Sequence, residues 1–475
     1  MLTRRRRFLP SQVISSQSAP CQSPSISHIL LAIILIGPTG LSIAAPRSSA
    51  QTSTTTKPQA PSATTSASRV SSDFSGALPA RDGEHLHLVT DLGSVVIHTQ
   101  NTDKVSYRVH LEADAAQKNA GELLKNFTFH AHRTPDGVFM KGRSVEEASG
   151  RLWITVEISV PKTFEVDAST GGGNIQVDDI AGRLDLSTAG GDITTGNVEG
   201  SARLETNGGH ITVKNVSGDL ISNTGGGHIT TGTVGGNASL RTSGGHIRAS
   251  SIGGAAHLFT AGGNVALEHS GGELFAETSG GQIEVGEASG LVQAKTGGGG
   301  IRVVRVSGPS DLHTVGGNIY LTQVDSAVKA STSAGGITAW FVMPTRHGGN
   351  CELESSEGDI VVYLPRQLPA TIDAQIQMAD EHHVIVDPAF PIKVSYDDQS
   401  NGLRTIRAEG SLNGGGEVLR LRAIGGNIRL VLSDASKQMQ LYNQQMELLE
   451  QKMKELRLQL RNLLPPSERD GMAKQ

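Results

Sequence analysis

The sequence predicts an all-β protein: a single-stranded parallel β-solenoid, a right-handed β-helix with 18-residue coils, followed by one C-terminal α-helix. Three observations carry that prediction. Glycine supplies 58 of 475 residues while aromatic residues make up only 4%, against a usual glycine content of roughly 7%, a balance that does not suit a conventional globular core of this length. The glycines recur every 18 residues, and self-similarity at a fixed period outranks local propensity in choosing an architecture. From Ser433 glycine disappears until Gly471, and Gln, Glu, Lys, Leu and Met take over.

The N-terminus reads as an export signal. Arg4 to Arg7 are followed by an apolar run from Ile29 to Ile36 and by small residues around Ser42 to Ala45 and Ser48 to Ala50, the order of charge, apolar stretch and cleavage zone. Cleavage is expected after Ala44 or Ala50. The run is short of the roughly 20 residues needed to cross a bilayer, and an uncleaved anchor extending to Ala45 is the alternative. Arg5-Arg6-Arg7-Phe8-Leu9 resembles a twin-arginine signal. Residues 1–45 are therefore assigned to a signal peptide. Residues 46–72 are Ser, Thr, Pro and Ala with almost no large apolar residue; they cannot bury enough surface to fold and should form a linker.

Residues 73–165 are strand-rich, as in Leu86, Leu88, Val95, Ile97 and Trp153 to Val160, with one helix expected near 115–127; this segment is predicted to cap the solenoid. Residues 166–345 hold the regular repeat. Gly173, Gly191 and each eighteenth residue to Gly335 fill one register ten times from ten. Two residues later stands Ile or Val, from Ile175 to Ile337, and three residues earlier stands Thr, from Thr170 to Thr332. Ile175 and Val177, then Leu184, Leu186 and Thr188, alternate with polar neighbours, which gives two short strands per coil separated by glycine corners. Such a unit buries its apolar face only by stacking on identical units, each strand pairing in parallel with its counterpart at about 4.8 Å. The glycine pair suits corners where positive φ is needed. The Thr hydroxyl can bond the corner backbone or the next Thr. Residues 346–432 restate the motif more loosely, at Gly358-Asp359-Ile360 and Gly425-Gly426-Asn427-Ile428, and are read as irregular closing coils.

The succession Ile158-Ser159-Val160-Pro161, Thr-x-Gly-Gly-x-Ile units and Gly358-Asp359-Ile360-Val361-Val362-Tyr363-Leu364-Pro365 resembles a bacterial domain-of-unknown-function family labelled "putative adhesin" over roughly residues 80–432. That resemblance implies a glycine-rich β-solenoid exported to the cell envelope. It brings no ligand or active site.

Chemistry is sparse. With 41 Lys and Arg against 46 Asp and Glu, no broad positive field draws nucleic acid. No P-loop or nucleophile elbow is present, no cofactor is called for, and no catalytic residue is assigned. The densest acidic group, Asp178, Asp179, Asp185 and Asp192, matches no catalytic spacing and reads as a solvated outer face. A carbohydrate-active enzyme on a β-helix scaffold is the rival reading. His210, His228 and His246 occupy one register in three successive coils, with Asp192 before them. They could converge on Zn²⁺, or fill a polar corner position, flanked by Asn264, that also accepts Asn174, Gln282, Gly300 and Asn318. His85/His87 and His130/His132 follow from strand alternation. Cys21 falls in the signal peptide, leaving Cys351 as the mature chain's thiol.

In residues 433–464, Met439, Tyr442, Met446, Leu449, Met453, Leu456, Leu460 and Leu463 fall on a and d positions. Leu441, Leu448, Leu458 and Leu464 widen the face, so the helix either pairs with a second copy or packs back on the solenoid. Pro465 and Pro466 end it, and residues 465–475 form a tail. The expected function is a non-enzymatic, exported, adhesin-like structural or interaction module, in the periplasm, at the cell surface or secreted, whose partner is a cell-surface polymer or envelope protein.

Overall fold

The computed structural model describes residues 69–117, 119–144, 152–343, 348–377, 383–398 and 404–434, with Gln440, Asn443, Gln444, Glu447, Leu448, Gln451 and Lys454 beyond them. The chain divides into two compact units, Met1–Thr64 and Thr65–Gln475. The export signal, most of the linker and the a/d residues of the predicted helix lie outside the described residues. The described residues between 440 and 454 are helical and exposed.

The second unit is almost wholly β. Each central coil contributes one strand to each of two sheets. The strands that open on Ile or Val after the glycine pair, such as Ile211–Val216 and Ile229–Val234, form an isoleucine sheet; those that end on Thr, such as Leu220–Thr224 and Ala238–Thr242, form a threonine sheet. Pairing is parallel, and each residue meets its counterpart one coil on: Ile211 faces Ile229, Thr206 faces Thr224. Because side chains alternate across a strand, this register stacks like on like. Ile193, Ile211, Ile229 and Ile247 are all 0% exposed, as are Leu184, Leu186, Leu204 and Leu220. One continuous core results.

Threonine closes each corner. The Thr224 hydroxyl donates to the Gly209 carbonyl of the preceding coil at 2.8 Å and accepts from the Gly227 N–H of its own corner at 3.2 Å. The same pair of bonds recurs at Thr188, Thr206, Thr242, Thr260, Thr278, Thr296, Thr314 and Thr332. Buried hydroxyls are thereby satisfied, and the bond goes to corner backbone, one of the two options foreseen.

The glycine requirement has a different cause from the one expected. Within the ten-fold register only Gly173 has φ in the left-handed range, at 124°. The later members are fixed by proximity: a β-carbon on Gly227 would lie 1.9 Å from the Gly209 carbonyl oxygen, and the other coils repeat this. The first glycine of the pair is under no such constraint, for a β-carbon on Gly226 would stand 3.8 Å from the nearest atom.

Both ends depart from the period. Residues His85–Thr90 and Ser94–Gln100 form a coil that pairs in parallel with Glu165–Thr170 and Ile175–Val177. The chain between them adds one more parallel rung, Gly137–Ser144 on His85–Thr90 and Leu152–Pro161 on Ser94–Gln100, which the antiparallel strands Phe127–Thr134 and Lys104–Asp114 then cover, with the helix Ala120–Lys125 where one was expected. Phe129 packs 6.2 Å from Phe74 and 5.2 Å from Tyr107 there. At the other end Glu417–Ala423 and Ile428–Leu432 pair in parallel with Cys351–Ser355 and Ile360–Leu364, and antiparallel strands Lys393–Asp398 and Arg404–Leu412 finish the threonine sheet.

Candidate functional site

Two outward features stand apart from the repetitive scaffold. The first is the corner register before each isoleucine-sheet strand. Here a side-chain acceptor takes the backbone N–H of the next coil: Asn174 Oδ1 from Asp192 N at 2.9 Å, Asp192 Oδ1 from His210 N at 2.7 Å, and Asn264 Oδ1 from Gln282 N at 2.9 Å. Three imidazoles continue the same ladder. His210 Nδ1 accepts from His228 N at 2.9 Å, His228 Nδ1 from His246 N at 2.8 Å, and His246 Nδ1 from Asn264 N at 2.8 Å. Asn and Asp Oδ1 and His Nδ1 all sit one bond beyond Cγ, which is why these residue types exchange at this register.

The rings stack with centroids 4.9 Å apart in both steps. Burial, first, and then the neighbouring positive charges hold His228 and His246 below the usual imidazole range; the neighbours are His210, His246 and Arg248 for His228, and Arg248 for His246. Neutral imidazole has one donor and one acceptor nitrogen. With Nδ1 accepting, the proton sits on Nε2, so neither nitrogen has a lone pair free for a metal. Among the described residues no three His, Cys, Asp or Glu side chains gather as a metal-holding group.

The remaining sequence candidates are dispersed. Asp178 meets His98 at 3.0 Å, Asp179 accepts from Asn197 N at 2.7 Å, Asp185 lies 3.6 Å from Arg183, and Asp192 belongs to the corner ladder. Desolvation, then Asp167, raises the Asp185 pKa. His87 meets Asp167 at 2.9 Å and stacks on Phe139, with His132 on the same ring. The Cys351 thiol is buried and free, and desolvation pushes its pKa to about 11, so little reactive thiolate forms at neutral pH.

The second feature, a pair of outward columns on the threonine sheet, had gone unread. Ser239, His257, Phe275 and Gln293 occupy one column; Arg241, Phe259, Glu277 and Lys295 occupy the next. Columns two residues apart along a strand are separated by about 6.8 Å, and between these lies a cleft of about 200 Å³. His257 and Phe275 stack at 4.8 Å with 1° between planes, and the Arg241 guanidinium lies 4.6 Å over Phe259. The recoverable signal was two 18-residue pairs, His257 with Phe275 and Arg241 with Phe259.

The fold defines the class: a protein of stacked parallel β coils. Residues 84–289 match the Toastrack DUF4097 family model, and this is the family that the sequence resembles. No curated protein matches the chain. Among solved structures, a putative cell adhesion protein from Clostridium sporogenes is 8% identical, covers 77% of this chain and 100% of its own, and has a TM-score of 0.16. A putative adhesin from Bacteroides fragilis is 11% identical over 61% of this chain and 96% of its own, at 0.21. One from Parabacteroides distasonis is 12% identical over 61% and 94%, at 0.24. Among the described residues no helix is long and apolar enough to cross a membrane.

Proposed function

We propose that the protein is a non-enzymatic, adhesin-like module, exported to the cell envelope, whose right-handed 18-residue coils present a binding face to a surface polymer. The observation that carries this reading is the cleft between the two outward columns. Three rings supply apolar surface and positive ring edges, Arg241 and Lys295 supply cationic donors, and Ser239 and Gln293 supply neutral hydrogen-bonding groups. Apolar walls with a few convergent polar groups are the usual composition of a ligand site; Glu277 lines the cleft as well and offsets one of the two cations, so this set, with one positive charge in excess, suits an oxygen-rich chain of acidic or neutral units. Repetition along the stack lets weak contacts add.

The experiment is a binding screen of the full chain against acidic and neutral polysaccharides, with product analysis of each mixture. Saturable binding without turnover, weakened about tenfold or more by Arg241→Ala with Lys295→Ala, supports the proposal; release of shortened products would establish the carbohydrate-active enzyme instead. Against that enzyme stands the separate engagement of Asp178, Asp179 and Asp192. The histidine run we read as a hydrogen-bonding ladder and not a zinc site. Stoichiometric zinc on metal-exposed protein, lost in His228→Asn, would overturn this. For residues 433–464 we propose pairing with a second copy. Light scattering with and without residues 433–475 checks it, since an unchanged mass removes self-association.

A further inference from the structure

We propose that His210, His228 and His246 form an acid-sensitive joint, in which protonation of the imidazoles breaks three consecutive inter-coil hydrogen bonds and loosens this part of the stack. At neutral pH each ring does what Asn does in neighbouring coils: it accepts the next coil's N–H, here through Nδ1 at 2.8 to 2.9 Å. The difference lies in what acid does. An Asn amide oxygen remains an acceptor, whereas an imidazole protonated on Nδ1 becomes a donor at both nitrogens. Two N–H groups then point at one another across each rung, and the bond becomes a repulsion.

The surroundings sharpen the effect. The rings lie 4.9 Å apart at centroid, so protonating adjacent members places like charges next to each other. Asp192, one coil before, is the negative group on the run and serves His210 N alone. Arg248, on strand Ile247–Ile252, adds positive charge beside His228 and His246. Burial and that charge already hold both rings below the ordinary imidazole value. For a base whose folded pKa is lowered, the stabilising contribution is present above the unfolded value of about 6.5 and is lost as pH falls from there through the folded value. The joint is confined to these rungs. The bond from Asp192 N ends on Asn174 and that from Gln282 N on Asn264, and neither amide titrates. The inference rests on the corner ladder alone and stands whether or not the cleft binds a polymer.

Hydrogen exchange of the full chain, expressed as protection corrected for intrinsic rates at about pH 7.5 and about pH 5, provides the test. The amides of His228, His246 and Asn264 should lose about tenfold or more of their protection relative to those of Asp192 and Gln282. A variant carrying His210→Asn, His228→Asn and His246→Asn keeps the acceptors and should hold its protection across the same range. Equal losses in both proteins, or no loss in the wild type, would overturn the proposal. Imidazole ¹⁵N shifts at the higher pH give an independent check, because a proton found on Nδ1 would rule it out whatever the variant does.

Discussion

The central coils and the two ends solve the same problem by opposite means. In the centre, every rung meets one of identical length, so a corner chemistry of threonine and glycine repeats unchanged, joined from Asn174 to Asn264 by a side-chain acceptor at each step. At the ends the neighbouring coil is distant in sequence: Asn174 N reaches Ser94 Oγ across 80 residues, and Asn427 N reaches Asp359 Oδ1 across 68. The intervening chain adds one more parallel rung and then turns antiparallel, covering that last rung with rings and charged pairs. An exposed sheet edge invites further pairing; the terminal segments block that invitation by breaking the pattern that the centre maintains. Periodicity builds the stack, and its interruption stops it.

The largest expected effect separates the two glycines of one central corner. Gly227→Ala forces a β-carbon against the Gly209 carbonyl and should cost about 3 kcal/mol or more, while Gly226→Ala, whose β-carbon would make only ordinary contact at 3.8 Å, should stay within about 0.5 kcal/mol; denaturant melts of the pair decide this, and equal losses would remove the close-approach account. Next is the threonine corner. Thr224→Val leaves the Gly209 carbonyl and Gly227 N–H without their partner, at about 1 to 3 kcal/mol, whereas Ala423, at the corresponding closing corner, has no hydroxyl to lose, so Ala423→Val should lack this cost. A comparable hydrogen-bond loss at both corners would break the contrast.

The smallest effect contrasts pH responses. His110 holds the end strand Arg69–Pro79 through Asp73 at 2.7 Å and also meets Glu112 at 3.2 Å, bonded in turn to Arg69. The Asp73 and Glu112 hydrogen bonds raise its pKa. Its contribution is therefore present below about pH 6.5 and lost as pH rises through the higher folded value, opposite in sign to His228 and His246. Exchange of the strand's amides should accelerate toward alkaline pH beyond the intrinsic rate, and His110→Gln should flatten that response.

Much of this was legible because a stacked register forces identical neighbours. Ile, Gly and Thr at fixed positions announced inward ladders, and the parallel pairing follows them. The first coil was harder to see: Thr90, Gly93 and Val95 carry the same spacing as Thr170, Gly173 and Ile175, but the segment between them hides the period. The glycine at 227 was legible as necessary and misread in cause, since composition does not distinguish a strained dihedral from an approaching carbonyl. The histidines were legible as a column, yet the chemistry turns on which ring nitrogen faces the next N–H, which only coordinates supply. Phe259 and Phe275 escaped notice because outward positions carry no packing constraint to make them periodic.

Because each corner bonds only within itself and to the corners immediately before and after it, the length of the stack is an independent variable. Excising or duplicating 18 residues from one glycine register to the next would rejoin chemically equivalent ends, whereas other changes in coil length have to be taken up at a corner, as in the 23-residue step that still sets Ala330 beside Leu353. A gene of this kind can grow or shrink by whole modules through recombination, altering how far its terminal parts are held apart while leaving each joint as it was.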